Sequence, residues 1–260
     1  MPRLTRLVAT AATTSLTILA LTSCGGSDSL VHFDGAPHAS ISKATLNHWM
    51  QSMVGGDFRR SIATEGPQGL ASEPANYPSC VAAAKLVAPR SFYNQLRFSR
   101  AQLTEKCHQL YRSIKTQALS FLISAQWTIA EAAEQHITAT DADVRHAVAL
   151  ARKQAYPTER DLHKYLTDRH WSLADLLYQV KLTVLVSRLL PRFEQQVKKA
   201  GGGERVYAKL ALEHYGDIVA KTSCSKGYVV PGCKEFRDPL TLSPPPPDVI
   251  IKKLTGKQPS

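Results

Sequence analysis

The sequence predicts an all-α fold with one very long helix, a short N-terminal strand and two disulfides. Three observations carry this. From Leu103 to Ala132 an apolar side chain recurs every three or four residues, with no proline or glycine to break the run. Ser99, Thr140, Thr158 and Ser172 each stand three positions before a Gln or Asp at the head of a helical pattern, which is the spacing of a capping box. Only Leu30-Val31-His32-Phe33, ahead of Asp34-Gly35, reads as extended chain entering a turn. The 260 residues are 43% hydrophobic and 20% charged, enough to bury a core and too apolar for a disordered or collagen-like chain.

The first residues set the expected compartment. Arg3 and Arg6 precede an uncharged, mostly apolar stretch from Leu7 to Leu21, the length of a signal-peptide core and short for a membrane span. It ends in Leu21-Thr22-Ser23-Cys24, which resembles the lipobox of bacterial lipoproteins. That resemblance implies a signal peptide over 1–23, acylation of Cys24 as the new N-terminus, and an extracytoplasmic chain anchored by lipid (palmitate among the acyl groups) to the bacterial cell membrane. Two or three acyl chains, at about 0.8 kcal/mol per buried methylene, hold a protein on a bilayer with no spanning helix. Gly25-Gly26-Ser27-Asp28-Ser29 then reads as a polar tether, residues 24–29 in all. Nucleic acid drops out as a partner. Loss of Arg3 and Arg6 takes the charge from +11 to +9, which suits an anionic envelope surface or acidic clients.

Five cysteines less Cys24 leave Cys80, Cys107, Cys224 and Cys233. An even number outside the cytoplasm predicts two disulfides, with three connectivities open. The nearest-neighbour pairs, Cys80–Cys107 and Cys224–Cys233, are expected.

After the first strand, Ile41 to Met53 has near-helical apolar spacing, with Ser40 or Ser42 as cap. Residues 55–90, rich in Gly and Pro, read as an irregular loop pinned by Cys80. The long helix runs from Ser99 to about Gln135. Capped helices follow from Thr140 to Ala155, from Thr158 to Arg169, and from Ser172 through Phe193, the last expected to kink at Pro191. Gly201-Gly202-Gly203 breaks the chain before a last helix over Glu204–Lys221. The folded unit is expected over 30–236. Residues 237–260, with Pro244 to Pro247, read as an extended tail.

Catalytic motifs are sparse. No G-x-S-x-G, Walker A, G-x-G-x-x-G, H-E-x-x-H or C-x-x-C occurs, and no two histidines stand three or four residues apart, so neither metal nor cofactor is expected. Ser40-Ile-Ser-Lys43 and Ser223-Cys-Ser-Lys226 fit S-x-x-K, but the S-D-N and K-T-G partners of penicillin-recognising enzymes are missing. The pair Asp141/Asp143 is explained by capping.

His32-Phe33-Asp34-Gly35 with Ile41-Ser42-Lys43, Phe121-Leu122-Ile123 with Trp127 and Glu131-Ala132-Ala133, Ile137 through Val144, and Asp175-Leu176 with Val180-Lys181 together resemble the N-terminal chaperone domain of the SurA/PrsA-type foldases. The resemblance spans residues 30 to 235. It implies a SurA N-terminal-like helical fold that binds unfolded or nascent exported polypeptides. Many members of that family insert a parvulin-type prolyl isomerase domain before the last helix. Here only the three glycines stand at that place, so the resemblance implies a chaperone without isomerase chemistry. Trp49, Met50, Met53, Phe121, Trp127, Trp171 and Tyr178 are the expected peptide-binding residues, since Met and aromatic side chains adapt to varied apolar partners. A stripe at helical spacing is more often core than groove. The other reading kept open is a non-catalytic binding lipoprotein for wall polymer or a protein partner.

Lipidation predicts a direct result. Cys24→Ser should leave the precursor uncleaved by the lipoprotein peptidase and unlabelled by a fatty-acid probe, and continued labelling would refute it.

Overall fold

The computed structural model describes residues 28–35, 39–57, 77–87 and 99–237. The expected signal segment, Cys24, most of the expected 55–90 loop and the expected tail beyond Arg237 lie outside the described residues. The chain runs β1 (Ser29–Phe33), β2 (Ser40–Ser42), α1 (Lys43–Asp57), α2 (Pro78–Val87), α3 (Arg100–Glu134), α4 (Asp141–Ala155), α5 (Glu159–Arg169), α6 (Leu173–Lys199), α7 (Glu204–Ala220) and β3 (Thr222–Cys224). No described helix is long and apolar enough to cross a membrane.

The protein is mostly helical, but it is not all-α. Three strands form a sheet in the order β2-β1-β3. Both neighbours pair antiparallel with β1, Val31 lying opposite Ile41 on one side and Cys224 on the other. Ile41 is therefore a strand residue and not the start of a helix. Its side chain and that of Val31 are both buried in the core. The flanking strands escape sequence reading because three residues are too few to display a two-residue alternation. A second correction falls in the expected 55–90 loop, where Pro78 opens α2. Proline suits a first helical turn, whose N–H groups lack partners anyway.

The capping boxes form as spaced. Ser99, Thr140, Thr158 and Ser172 each accept a hydrogen bond from the backbone N–H three residues on, and the side chain at that position accepts from the cap's own N–H. The result is a 35-residue α3, about 52 Å long at 1.5 Å per residue. It buries Leu103, Cys107, Ile114, Ala118, Leu122 and Ala132 along one stripe. Against the stripe lie α1, which contributes Leu46, Trp49 and Met50, and the sheet. Helix α6 runs on through Pro191 without a break. Arg188 of α6 grips α4 by donating to both carboxylate oxygens of Asp143, at 3.0 and 2.7 Å, and to the Thr138 carbonyl. That guanidinium, with the Thr140 cap, holds the Asp143 carboxyl well below the usual carboxylate range.

Two cysteine pairs stand at disulfide distance, Cys80–Cys107 and Cys224–Cys233, as the spacing predicts. The first ties α2 to α3 and the second closes the turn after β3. With loops of 27 and 9 residues, chain-entropy reasoning assigns them about 3.5 and 2.5 kcal/mol. Replacing Cys80 and Cys107 together by alanine should therefore lower unfolding stability by about 3 kcal/mol in a urea titration. An unchanged midpoint would show that this bridge is not a support of the fold.

Candidate functional site

Four of the seven expected binding side chains meet at one place. The Trp49 ring lies 4.7 Å from Phe121, 5.7 Å from Tyr178 and 6.3 Å from Trp171, centroid to centroid. The cluster extends through Trp171 to Tyr165 and from there to Tyr156, with the Arg169 guanidinium 4.0 Å over the Tyr165 ring. It joins α1 and α3 to α5 and α6. Burial pushes up the Tyr178 hydroxyl and, with the Tyr165 hydrogen bond, pushes Tyr156 up to about 12.

Much of this cluster is joint rather than groove. Trp49 is 5% exposed and Met50 is fully buried, so these two are core residues and present nothing to a ligand. Met53, Phe121, Trp171 and Tyr178 are half-buried against the same core. Trp127 stands apart from them. It packs edge-on to Phe33, 5.6 Å away, and donates through its indole N–H to Thr222 at 2.8 Å, tying α3 to β3. Ser40 opens β2 and Lys43 opens α1, while Ser223 is the middle residue of β3 and Lys226 follows its end.

Beside the aromatic joint sits a polar clasp that the sequence did not reveal. Asp175, the third residue of α6, accepts from Ser172 N–H and Ser172 Oγ, each at 2.7 Å, and lies 2.6 Å from His48 Nε2 of α1. Its residue exposure is only 7%. Burial works against its charge, but the hydrogen bonds from His48 and Ser172 outweigh that and hold the carboxyl below its ordinary range. No sequence signal pairs residues 127 apart; only the cap role of Asp175 is legible.

A more open apolar surface lies elsewhere, at the corner of α6 and α7. Helix α7 carries Val206, Tyr207, Leu210, Tyr215, Ile218 and Val219, yet none of its residues is fully buried among the described residues. Leu212 is 46% exposed. Phe193 of α6 meets Tyr207 edge-on at 5.1 Å, and next to them Val197, Gly202, Gly203 and Glu204 border a recess of about 340 Å³. The corner itself needs glycine. Gly201, Gly202 and Gly203 all have φ between +69° and +107°, which L side chains rarely adopt. The N–H groups of Gly201 and Gly202 close the end of α6 on the carbonyls of Lys198 and Val197. The apolar periodicity of α7 and the three glycines are the sequence signals of this corner.

No protein-family model matches the chain, and neither the curated proteins nor the solved structures contain a significant match.

The clasp has a measurable pH signature. A carboxyl with a lowered folded pKa contributes stability that is complete above its unfolded pKa, near 4, and is lost as pH falls through the folded value. Asp175→Asn should cost about 1–3 kcal/mol at neutral pH, and the gap from wild type should narrow below about pH 4 in denaturant titrations. A gap independent of pH would mean that the ionised form is not what the clasp uses.

Proposed function

We propose that this chain is a membrane-tethered, extracytoplasmic chaperone of the SurA/PrsA type that binds unfolded exported polypeptides without isomerising prolines. The observation that carries the reading is the incompletely covered apolar face of α7 and the adjoining end of α6, among the described residues. Accessible apolar surface of a few hundred Å² is the usual mark of a site for apolar segments. A shallow, open surface of this kind suits many sequences weakly, as a chaperone needs. The lipobox-like start supports a position where exported chains emerge, and the motifs shared with the foldase family support the same role. The glycine corner supports the second half of the proposal, because it joins α6 directly to α7 where the family inserts its isomerase. Lowering a barrier near 20 kcal/mol to peptide-bond rotation takes a shaped pocket that twists one bond.

The mature chain should slow aggregation of a chemically denatured enzyme at near-stoichiometric amounts. It should leave the isomerisation rate of a prolyl tetrapeptide at its uncatalysed value. Val206→Ser with Leu210→Ser should weaken the holdase effect several-fold with little change in unfolding midpoint, since neither side chain is fully buried. No effect on aggregation at any salt concentration would favour the passive binding lipoprotein, and catalysis of the peptide would overturn the non-catalytic half.

A further inference from the structure

One end of the sheet gathers cations that make no ion pair among the described residues, around the point where the chain from Cys24 enters the fold. Because β1 is central and both neighbours run antiparallel to it, the start of β1 lies beside the ends of β2 and β3. Lys43 follows β2 directly, and its backbone N–H donates to the Asp28 carbonyl. Ser225 follows β3, donating its N–H to the Leu30 carbonyl and its hydroxyl to the Ser29 carbonyl, and Lys226 comes next. Lys115 of α3 reaches across to the Gly227 carbonyl at 3.0 Å, lying over the Tyr228 ring at 5.1 Å. Arg112 stands one turn earlier on α3, where side chains three residues apart are neighbours. Lys43, Arg112 and Lys226 are exposed, and none makes an ion pair among the described residues. Two carboxylates lie nearby. Asp28 is exposed, while Glu235 turns inward to accept the Cys224 N–H at 2.9 Å.

Fold stability does not account for Lys43. It is the first residue of α1, whose first turn holds no acid, and the helix dipole disfavours a cation there. Position does account for it. Cys24 precedes Asp28 by four residues, which span at most about 14 Å. A bilayer holding an acyl chain on Cys24 is therefore within reach of these side chains.

We propose that Lys43, Arg112, Lys115 and Lys226 form a docking face for an anionic lipid bilayer, a second membrane signal beside the acyl anchor. It would fix which side of the domain faces the membrane and leave the α6–α7 corner turned away from the lipid. That corner lies past the contact between His214 and Glu131 (3.6 Å), about 24 Å of helix beyond Lys115. The proposal rests on the lipid-anchor reading for what brings the bilayer close, but the patch binds lipid by its own charge.

Flotation of residues 24–260, produced without the signal segment and carrying Cys24→Ser, separates the two, because neither an acyl group nor the apolar leader is present. Fatty-acid labelling of the wild-type precursor tests the anchor; flotation tests the patch. The unlipidated chain should float with vesicles containing phosphatidylglycerol and not with vesicles of phosphatidylcholine alone. A lysine at an anionic surface is expected to raise binding about fivefold, so Lys43→Gln with Lys226→Gln should lower it about twenty-fivefold. The charge-matched pair Lys199→Gln with Arg205→Gln, at the α6–α7 corner, should change it less than about twofold. Unaltered unfolding midpoints would confirm that both variants stay folded. Equal loss from the two pairs would refute a docking face in favour of simple net charge. Indifference to phosphatidylglycerol, or tighter binding to a soluble anionic wall polymer than to the vesicles, would also overturn the proposal.

Discussion

The apolar stripe of α3 has to be covered along some 50 Å, and no single neighbour is long enough to do it. The other elements are therefore strung along α3 in turn. The Cys107 bridge brings α2 to its N-terminal part. Phe121 meets Trp49 of α1, Trp127 reaches Phe33 and Thr222 of the sheet, and Glu131 meets His214 of α7. Helices α1, α2 and α6 each pack directly on this one helix. A break in α3 would separate the parts rather than loosen one of them.

The covering is uneven, and the unevenness is what gives the molecule a candidate activity. Around α1 and the sheet, side chains such as Met50, Leu119 and Val31 are fully buried, and both cysteine pairs brace this region. Toward the far end, α4, α5 and α6 form an arm held by the Asp143–Arg188 grip and by the clasp of His48 on Asp175. Helix α7 closes the circuit. One end is fixed by β3 in the sheet, the other turns on three glycines, and between them its apolar side chains are only partly covered. A firmly packed base with a loosely held apolar edge is a workable arrangement for transient binding, because the edge can adjust without unfolding the base.

Helix positions were legible because local chemistry decides them. Four capping boxes and the uninterrupted run from Leu103 to Ala132 mark helix starts and the length of α3 with no tertiary information, and the two cysteine pairs are the nearest neighbours in sequence. What stayed hidden depends on contacts between distant segments. Strands β2 and β3 exist because β1 lies between them, and neither Ile41 nor Thr222–Cys224 announces that alone. Trp49 and Met50 have the composition of a binding surface, but three-dimensional packing assigns them to the core. The clasp at Asp175 and the basic end of the sheet likewise come from topology. The open face of α7 was readable as an amphipathic helix, while its incomplete covering was not.

Native-state hydrogen exchange on residues 24–260, read residue by residue, tests most directly whether a rigid spine carries a loosely held edge. The amides of α3 from Leu103 to Ala125 should exchange only through global unfolding, within about 1 kcal/mol of the stability from denaturant titration. Those of α7 from Tyr207 to Val219 should exchange through local opening at a free energy several kcal/mol lower, while the α3 amides remain protected. Equal protection in the two helices, with both rising and falling together in denaturant, would contradict the account and make α7 part of one cooperative core.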